Sequence, residues 1–223
     1  MKIHHYSSQE ELANKLSSNI CNDLSNIVDK QSSASLALSG GNTPIALYQH
    51  LAVRDCQWNK VHITLTDERL VSVEHPRSNT LLMKKNLFSD KVPFSSFHSL
   101  YSGNDLDVVN PSFEQYFLPL NICVLGMGND GHTASLFPGD KKLINPHFDS
   151  LIDFAVPPDD DLEPRITLTA KTLLMSEQLH LVIHGKDKLD VFEQAQNGED
   201  FYSMPIRLIL KLASDYLQVH YAE

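Results

Sequence analysis

Basic residues are in the minority in this sequence of 223 residues, and long apolar runs are missing from it. No apolar run approaches the length of a membrane span, and the first residues lack the apolar core of a secretory signal, so we expect a cytoplasmic protein without a membrane partner. The formal net charge of −10 at pH 7 argues against a nucleic-acid partner, because nucleic-acid phosphates require a basic surface. An anionic ligand would therefore need a local positive site.

Cysteine is also scarce, and the three that occur, Cys21, Cys56 and Cys123, are widely spaced. Their odd number and the lack of any zinc-type spacing predict reduced thiols in a cytosolic protein. The histidines show no ligand spacing either, so the sequence predicts no metal site and requires no cofactor.

The helices are predicted from apolar residues that recur every three to four positions and from the residues that begin each helix. Ser8 and Glu11 have the spacing of a capping box, and the apolar residues that follow predict a long helix over 8–30. Pro44 is expected to open a helix that runs to about Val53, since proline is favoured at the first helical position. The remaining helices are predicted at 78–87, 112–117, 170–177, 186–196 and 205–214.

Short apolar runs predict the strands. They lie at 34–38, 61–66, 120–125, 151–156, 165–169, 179–183 and 216–221. Because strands alternate with helices, we expect one α/β domain over residues 1–223, with an open, mostly parallel twisted sheet covered by helices on both faces. Ligands of such sheets bind beyond the carboxyl ends of the strands. Three strands end in polar or glycine-rich segments, at 39–43, 66–69 and 126–132, so a functional site is expected there.

The segment Ser-Gly-Gly-Asn-Thr at 39–43 follows the first of these strands. Gly40 and Gly41 leave the backbone bare, so that its N–H groups can approach an anion closely. Thr43 occupies the position of a helix cap, where the helix dipole adds roughly half a positive charge. Both a phosphate-binding turn and an ordinary tight turn before a capped helix fit this pattern. It is not a Walker loop, since no Gly-Lys-Ser/Thr follows.

The segment Thr-Asp-Glu-Arg at 66–69 ends the second strand. An exposed cluster of ion pairs is the ordinary interpretation of such charges. The functional alternative makes Asp67 a polar contact or a base and Arg69 a planar fork for phosphate or carboxylate. The segment alone does not decide between these interpretations.

Glycines at 126, 128 and 131 surround Asp130 and His132 directly after the third strand. A histidine held in such a loop beside a carboxylate is a candidate catalyst, because the carboxylate can orient the ring and support its cation. The alternative is a histidine that serves only the core or the surface. A match to the dinucleotide-binding fingerprint fails on context, since no helix-length periodic segment follows.

The run GMGNDGHTASLFPG at 126–139 resembles the signature of the 6-phosphogluconolactonases, within the glucosamine-6-phosphate isomerase/6-phosphogluconolactonase superfamily. Similar family segments are SGGNTP at 39–44, TDERLV at 66–71, PRITLT at 164–169 and, more weakly, HGKDK at 184–188. The matches occur in family order and cover most of the chain, from about residue 36 to about residue 210. The resemblance implies a Rossmann-like, glucosamine-6-phosphate isomerase-like fold.

The resemblance also implies an activity, the hydrolysis of 6-phosphoglucono-1,5-lactone to 6-phosphogluconate without a required cofactor, in the oxidative pentose phosphate pathway. The family's general base falls on His132, and the aspartate two residues before it falls on Asp130. The family's strand-end aspartate falls on Asp67, whose role, catalytic or orienting, stays open. Its late lysine falls best on Lys188, with Lys186 as an open alternative. The implied phosphate ligands are Ser39, Gly40, Gly41, Asn42, Thr43, Arg69 and Arg165.

Two other functions stay open at this point. A glucosamine-6-phosphate isomerase or deaminase shares these segments, but that branch carries an acid five residues beyond its histidine, where this sequence has Phe137. A non-catalytic regulator that binds sugar phosphates is the other alternative, although the His132 segment and the glycine turn are both intact. The expected partner is a small sugar-phosphate lactone, and the expected state is a monomer or a homodimer. Asp159–Asp161 is interpreted as a solvated loop, with a lid over the site as the alternative.

Overall fold

The computed structural model describes residues 1–100, 113–118 and 120–223 of the chain. Its helices are α1 (Gln9–Gln31), α2 (Ile45–Ala52), α3 (Asn79–Asn86), α4 (Phe113–Phe117), α5 (Ala170–Leu174), α6 (Lys186–Gln196) and α7 (Ile206–Leu212). Its strands are β1 (Lys2–Tyr6), β2 (Ala34–Leu38), β3 (Val61–Leu65), β4 (Asp67–Arg69), β5 (Ile122–Leu125), β6 (Ile152–Ala155), β7 (Arg165–Leu168), β8 (Gln178–His184) and β9 (Leu217–Ala222). Of the helix predicted at 112–117, residue 112 lies outside the described residues and the rest is α4. No helix among the described residues combines the length and the apolar character that crossing a membrane requires.

Six strands form a parallel sheet in the order β1-β9-β8-β5-β2-β3. Strands β2 and β5 are buried along their whole length, as expected for apolar runs in a sheet that is covered on both faces. The predicted fold class, an open and mostly parallel sheet flanked by helices, is confirmed. Strand β1 was not predicted, because its sequence Lys-Ile-His-His-Tyr has no apolar run and most of its side chains are exposed.

A second, antiparallel sheet has the order β4-β7-β6. The strands predicted at 151–156 and 165–169 are present as β6 and β7, but they pair with each other and not with the parallel sheet. An apolar run indicates that a strand exists and not which strand it pairs with. The register sets Arg69 opposite Arg165, so this sheet brings two arginines of the predicted site together.

The helices begin close to the predicted residues, with one correction at α2. Ser8 accepts a hydrogen bond from the Glu11 N–H at 3.1 Å, as a helix cap should, and Ser78 caps α3 in the same way. The expected cap of α2 by Thr43 is wrong, because no side-chain hydrogen bond caps that helix. Pro44 occupies the capping position, which leaves Thr43 in the turn that precedes the helix.

The prediction of three reduced thiols is also wrong. Cys21 and Cys56 form a disulfide, and their Cα atoms lie 4.9 Å apart. Cys21 is on the buried face of α1, and Cys56 follows α2, which packs against α1. Their separation of 35 residues carried no sequence signal, since the packing of two helices brings them together. Cys123 is a free, buried thiol whose pKa is raised to about 12 by that burial.

Two buried histidines connect β8 to β9. His180 and His220 are each 1% exposed, and His180 Nδ1 lies 3.0 Å from His220 Nε2. Burial, with a smaller contribution from His4, lowers the pKa of His180 to about 4. Burial and the two neighbouring histidines lower the pKa of His220 to about 2. Both rings are therefore neutral in the folded protein at neutral pH.

These histidines make the folding stability depend on pH. Below a pH of about 6.5 the unfolded chain protonates them and the folded protein does not, so their contribution is present above that pH and is lost as the pH falls. We expect the free energy of unfolding to fall by about 3–4 kcal/mol between pH 7 and pH 5 from these two groups. Urea unfolding of the double variant His180→Gln/His220→Gln should lose this part of the dependence, whereas His147→Gln, at an exposed position, should keep it. An unaltered dependence in the double variant would contradict the prediction.

Candidate active site

A pocket of about 340 Å³ lies beyond the carboxyl ends of β2, β3, β5 and β8. These four strands are neighbours in the parallel sheet, so the segments that follow them meet at one edge of it. The predicted site residues therefore come together, with the exception of Asp130, which does not line the pocket but contacts His132. Those that line the pocket are Ser39, Gly40, Gly41, Asn42, Thr43, Asp67, Arg69, His132, Arg165 and Lys188.

His132 is held by the carboxylate two residues before it. His132 Nδ1 lies 2.6 Å from Asp130 Oδ1, and the same oxygen accepts the His132 backbone N–H at 3.1 Å. Burial raises the pKa of Asp130, but the bonds from His132 outweigh it and the net pKa is lowered, so the carboxylate is ionised. An ionised carboxylate accepts a hydrogen bond from the Nδ1–H group, which leaves Nε2 as the nitrogen that can accept a proton.

Position 128 requires glycine because the side chains of His132 and Asp130 lie against its backbone. A Cβ atom at position 128 would overlap the imidazole of His132 and the carboxylate of Asp130. The backbone N–H of Gly128 also donates to the carbonyl oxygen of His132 at 2.8 Å. The ring of His132 is thus packed directly on the backbone, which restricts its orientation.

Phe137 forms an apolar wall next to the histidine. Its ring centroid lies 5.3 Å from that of His132, and only 6% of the residue is exposed. It lines the pocket at the position where the deaminase branch is expected to carry an acid. No proton can be given or taken there, and the wall excludes water from one side of His132.

The turn that follows β2 presents polar groups to the pocket. Gly41 has a φ of 86°, which a residue with a side chain rarely adopts. Ser39 is 5% exposed, and its Oγ has no hydrogen-bond partner within the part of the chain that the structure describes. A buried hydroxyl without a partner is costly, which is typical of a group that a ligand completes.

Three cations reach the pocket from different elements. Arg69 and Arg165 are paired across β4 and β7, and the pKa of Arg165 is lowered by burial and by the nearby charge of Arg69. Arg69 donates to the carbonyl oxygen of Arg77, and its Nε is buried without a partner among the described residues. Lys188 lies in the first turn of α6, and burial lowers its pKa. Two clustered guanidinium groups favour an anion between or beside them.

Lys188 and Lys186 lie in different surroundings. Lys188 lines the pocket, and the charge of Asp130 acts on it. Lys186 has an 81% exposed side chain and forms an ion pair with Asp190 at 2.8 Å. Two residues along a helix turn the side chain by about 200°, so the two lysines point to different sides.

Asp67 is buried among groups that already engage its carboxylate. Ser135 Oγ donates to Asp67 Oδ2 at 2.6 Å, and Arg165 lies 4.0 Å from the same oxygen. The side-chain amide of Asn79 donates to the Asp67 carbonyl oxygen at 2.8 Å. The carboxylate is therefore fixed in place and partly neutralised by the arginine.

Asn79 and Ser135 also line the pocket, although the sequence alone indicated no role for either residue. Ser135 lies in the run at 126–139 that resembles the family signature, but nothing in the spacing of either residue indicated a contact with Asp67. Glu68 has a different role from its neighbours. Its two carboxylate oxygens accept the backbone N–H groups of Asn79 and Thr80, each at 2.7 Å, and so anchor the start of α3.

The three aspartates at 159–161 are exposed and lead directly to Leu162, which lines the pocket. The lid interpretation of this segment stays a prediction. Within the described ranges no group of three or more His, Cys, Asp or Glu side chains is arranged to hold a metal ion.

The chain is similar to known proteins over almost its full length. The model of the family described as glucosamine-6-phosphate isomerases/6-phosphogluconolactonase matches residues 7–217. A 6-phosphogluconolactonase from Rhizobium meliloti (strain 1021) is 34% identical over 232 residues, which cover 99% of this chain and 98% of that protein. One from Neisseria meningitidis serogroup A (strain Z2491) is 33% identical over 234 residues, which again cover 99% of this chain and 98% of that protein. The crystal structure of a 6-phosphogluconolactonase from Shewanella baltica OS155 matches with a TM-score of 0.91 at 32% identity, over 100% of this chain and 98% of that one.

Proposed function

The chain belongs to the glucosamine-6-phosphate isomerase/6-phosphogluconolactonase family, and we propose that it hydrolyses 6-phosphoglucono-1,5-lactone to 6-phosphogluconate. The observation that carries this proposal is that the His132 ring and the turn at 39–43 line one pocket. A base at one end and an anion-binding turn at the other suit a substrate with a reactive carbonyl and a remote phosphate. The enzyme is then a carboxylic-ester hydrolase.

In the proposed mechanism His132 acts as the general base. Its Nε2 removes a proton from a water molecule as the water oxygen attacks the lactone carbonyl carbon. The tetrahedral intermediate collapses with cleavage of the bond between that carbon and the ring oxygen, and the imidazolium returns the proton to the departing oxygen. The new carboxylic acid then releases a proton to solvent. Asp130 keeps the ring in the required tautomer and supports its cation.

The phosphate serves as the handle that holds the lactone against His132. It carries a charge of roughly −1.5 to −2 at pH 7. The turn at 39–43, Arg69, Arg165 and Lys188 supply N–H donors and positive charge in a protein whose net charge is −10. Binding energy from this remote group can be used to orient the reacting carbonyl.

We assign Asp67 an orienting role. Its carboxylate already accepts a hydrogen bond from Ser135 and lies beside Arg165, so it is poorly placed to take up a further proton. It can hold Arg165 in place and accept hydrogen bonds from sugar hydroxyl groups. This role differs from that of His132, whose Nε2 is available.

The isomerase or deaminase alternative is disfavoured by Phe137. Ring opening in that branch requires an acid at this position, and a phenyl ring cannot transfer a proton. The alternative of a non-catalytic regulator is disfavoured by the intact pair of His132 and Asp130, since a binding protein has no need for an oriented base.

The test is to supply freshly prepared 6-phosphoglucono-1,5-lactone and to follow acid release above the spontaneous rate. We expect rapid release with this substrate and much slower release with glucono-1,5-lactone, which lacks the phosphate. Glucosamine 6-phosphate should release no ammonia. Binding of 6-phosphogluconate without any excess rate would favour the regulator, and ammonia release would favour the deaminase.

A further inference from the structure

Tyr48 lies in α2, behind the turn at 39–43. The residue is fully buried, and it is not one of the described residues that line the pocket. Its hydroxyl group donates a hydrogen bond of 2.6 Å to the carbonyl oxygen of Ser39. The bond anchors the peptide that joins Ser39 to Gly40 to the core of the protein.

This bond determines where the next backbone N–H points. A peptide unit is planar and trans, so the carbonyl of Ser39 and the N–H of Gly40 point in opposite directions. The carbonyl is directed at Tyr48 in the core, whereas Ser39 and Gly40 both line the pocket. The N–H of Gly40 therefore points away from Tyr48, and it can reverse only if the bond to Tyr48 breaks.

The chemistry of the phenol suits this task. Burial raises the pKa of Tyr48 above its ordinary value, so its oxygen keeps its proton and stays a donor throughout the physiological range. A buried carbonyl that lost this donor would be left without a partner, and rotation of the peptide would be one way to relieve that cost. A rotated peptide would present an oxygen to an anion instead of an N–H.

We propose that Tyr48 is a positioning residue that fixes the Ser39–Gly40 peptide so that the Gly40 N–H donates to the phosphate group of the ligand. This inference rests on the proposed function, because it takes the turn at 39–43 to be the phosphate site. Tyr48 does not touch the ligand. It acts on binding of the phosphate and not on the proton transfer at His132.

The test is the variant Tyr48→Phe, which removes one oxygen and keeps the ring. We expect KM for 6-phosphoglucono-1,5-lactone to rise by about 10-fold, with kcat changed by less than about 2-fold, since one oriented donor to a charged group is lost. Tyr216→Phe is the matched control. The Tyr216 hydroxyl also donates to a backbone carbonyl, that of Leu174 at 2.8 Å, but neither residue lines the pocket. It should change neither constant.

An unchanged KM in Tyr48→Phe, or a fall in kcat at constant KM, would overturn the inference. Thermal denaturation with inorganic phosphate provides a readout that does not depend on activity. The stabilisation by phosphate should weaken in Tyr48→Phe and persist in Tyr216→Phe. If the wild-type protein is inactive on the lactone but the two variants still differ in their stabilisation by phosphate, the proposed function is refuted and the inference stands.

A second measurement uses the wild-type protein, so that it stands even if Tyr48→Phe fails to fold. The amide proton of Gly40 should shift in the NMR spectrum when inorganic phosphate is added, because it forms a charge-assisted hydrogen bond. The amide proton of Gly198, which is outside the pocket, should not shift. A Gly40 signal that does not respond at phosphate concentrations that protect the protein from unfolding would overturn the inference.

Discussion

Replacement of His132 by asparagine will lower kcat for lactone hydrolysis by about 10²- to 10⁴-fold, because the side chain that accepts a proton from water is lost. KM should change little, since the phosphate contacts are made by other residues. The measurement is the initial rate of acid release from fresh lactone, corrected for spontaneous hydrolysis at the same pH. Asparagine is polar and smaller than histidine. It should therefore fit the site without disturbing the backbone and should leave the pocket hydrated.

His147→Asn is the matched control for this variant. His147 is an exposed histidine outside the pocket, so its replacement should leave kcat and KM unchanged. Unfolding curves for both variants separate a loss of catalysis from a loss of folded protein. If His132→Asn keeps the wild-type kcat while it is folded, another group must be the base and the proposed mechanism fails.

Most of the parallel sheet could be predicted because its strands, apart from β1, are largely buried. Such strands must be continuous apolar runs, and the segments that follow them must be polar or rich in glycine if they bind a ligand. The strands β2, β3 and β5 have this pattern, and the segments after them meet in the pocket. The start of α1 was predictable for a local reason, since Ser8 and Glu11 are three residues apart.

Two of the features that the sequence did not predict depend on contacts between distant residues. The sheet β4-β7-β6 requires the pairing of segments about 100 residues apart, which periodicity cannot indicate. The disulfide between Cys21 and Cys56 depends on how α1 packs beside α2. The missing side-chain cap at α2 has a local cause, because Pro44 and not Thr43 takes the capping position.

In the candidate site, too, local sequence patterns could be recognised and contacts between distant residues could not. The residue types of the turn at 39–43 and of the His132 segment marked both as candidates from the sequence alone, and the structure brings both segments to one pocket. The bond from Ser135 to Asp67 links residues 68 positions apart and was found only in the structure. A cytoplasmic location and a monomeric or homodimeric state stay predictions of the sequence.

Lys188→Met should lower kcat/KM for 6-phosphoglucono-1,5-lactone by about 100-fold, because hydrogen bonds to charged groups are the strong ones and the phosphate is doubly charged. The rate with glucono-1,5-lactone should not change, since that substrate has no phosphate for the lysine to bind. The comparison of the two lactones in one variant therefore tests whether Lys188 contacts the phosphate group or the reacting carbonyl.

Lys186→Met is the control that the chain itself offers, since it removes the same charge two residues away. Its ammonium group pairs with Asp190 on the surface and lies outside the pocket, so kcat/KM for both lactones should stay within about 2-fold of the wild type. An equal loss for the two lactones in Lys188→Met would contradict the phosphate assignment. Lys188 would then act at the reacting end of the substrate, next to Asp130 and His132, since the charge of Asp130 acts on this lysine.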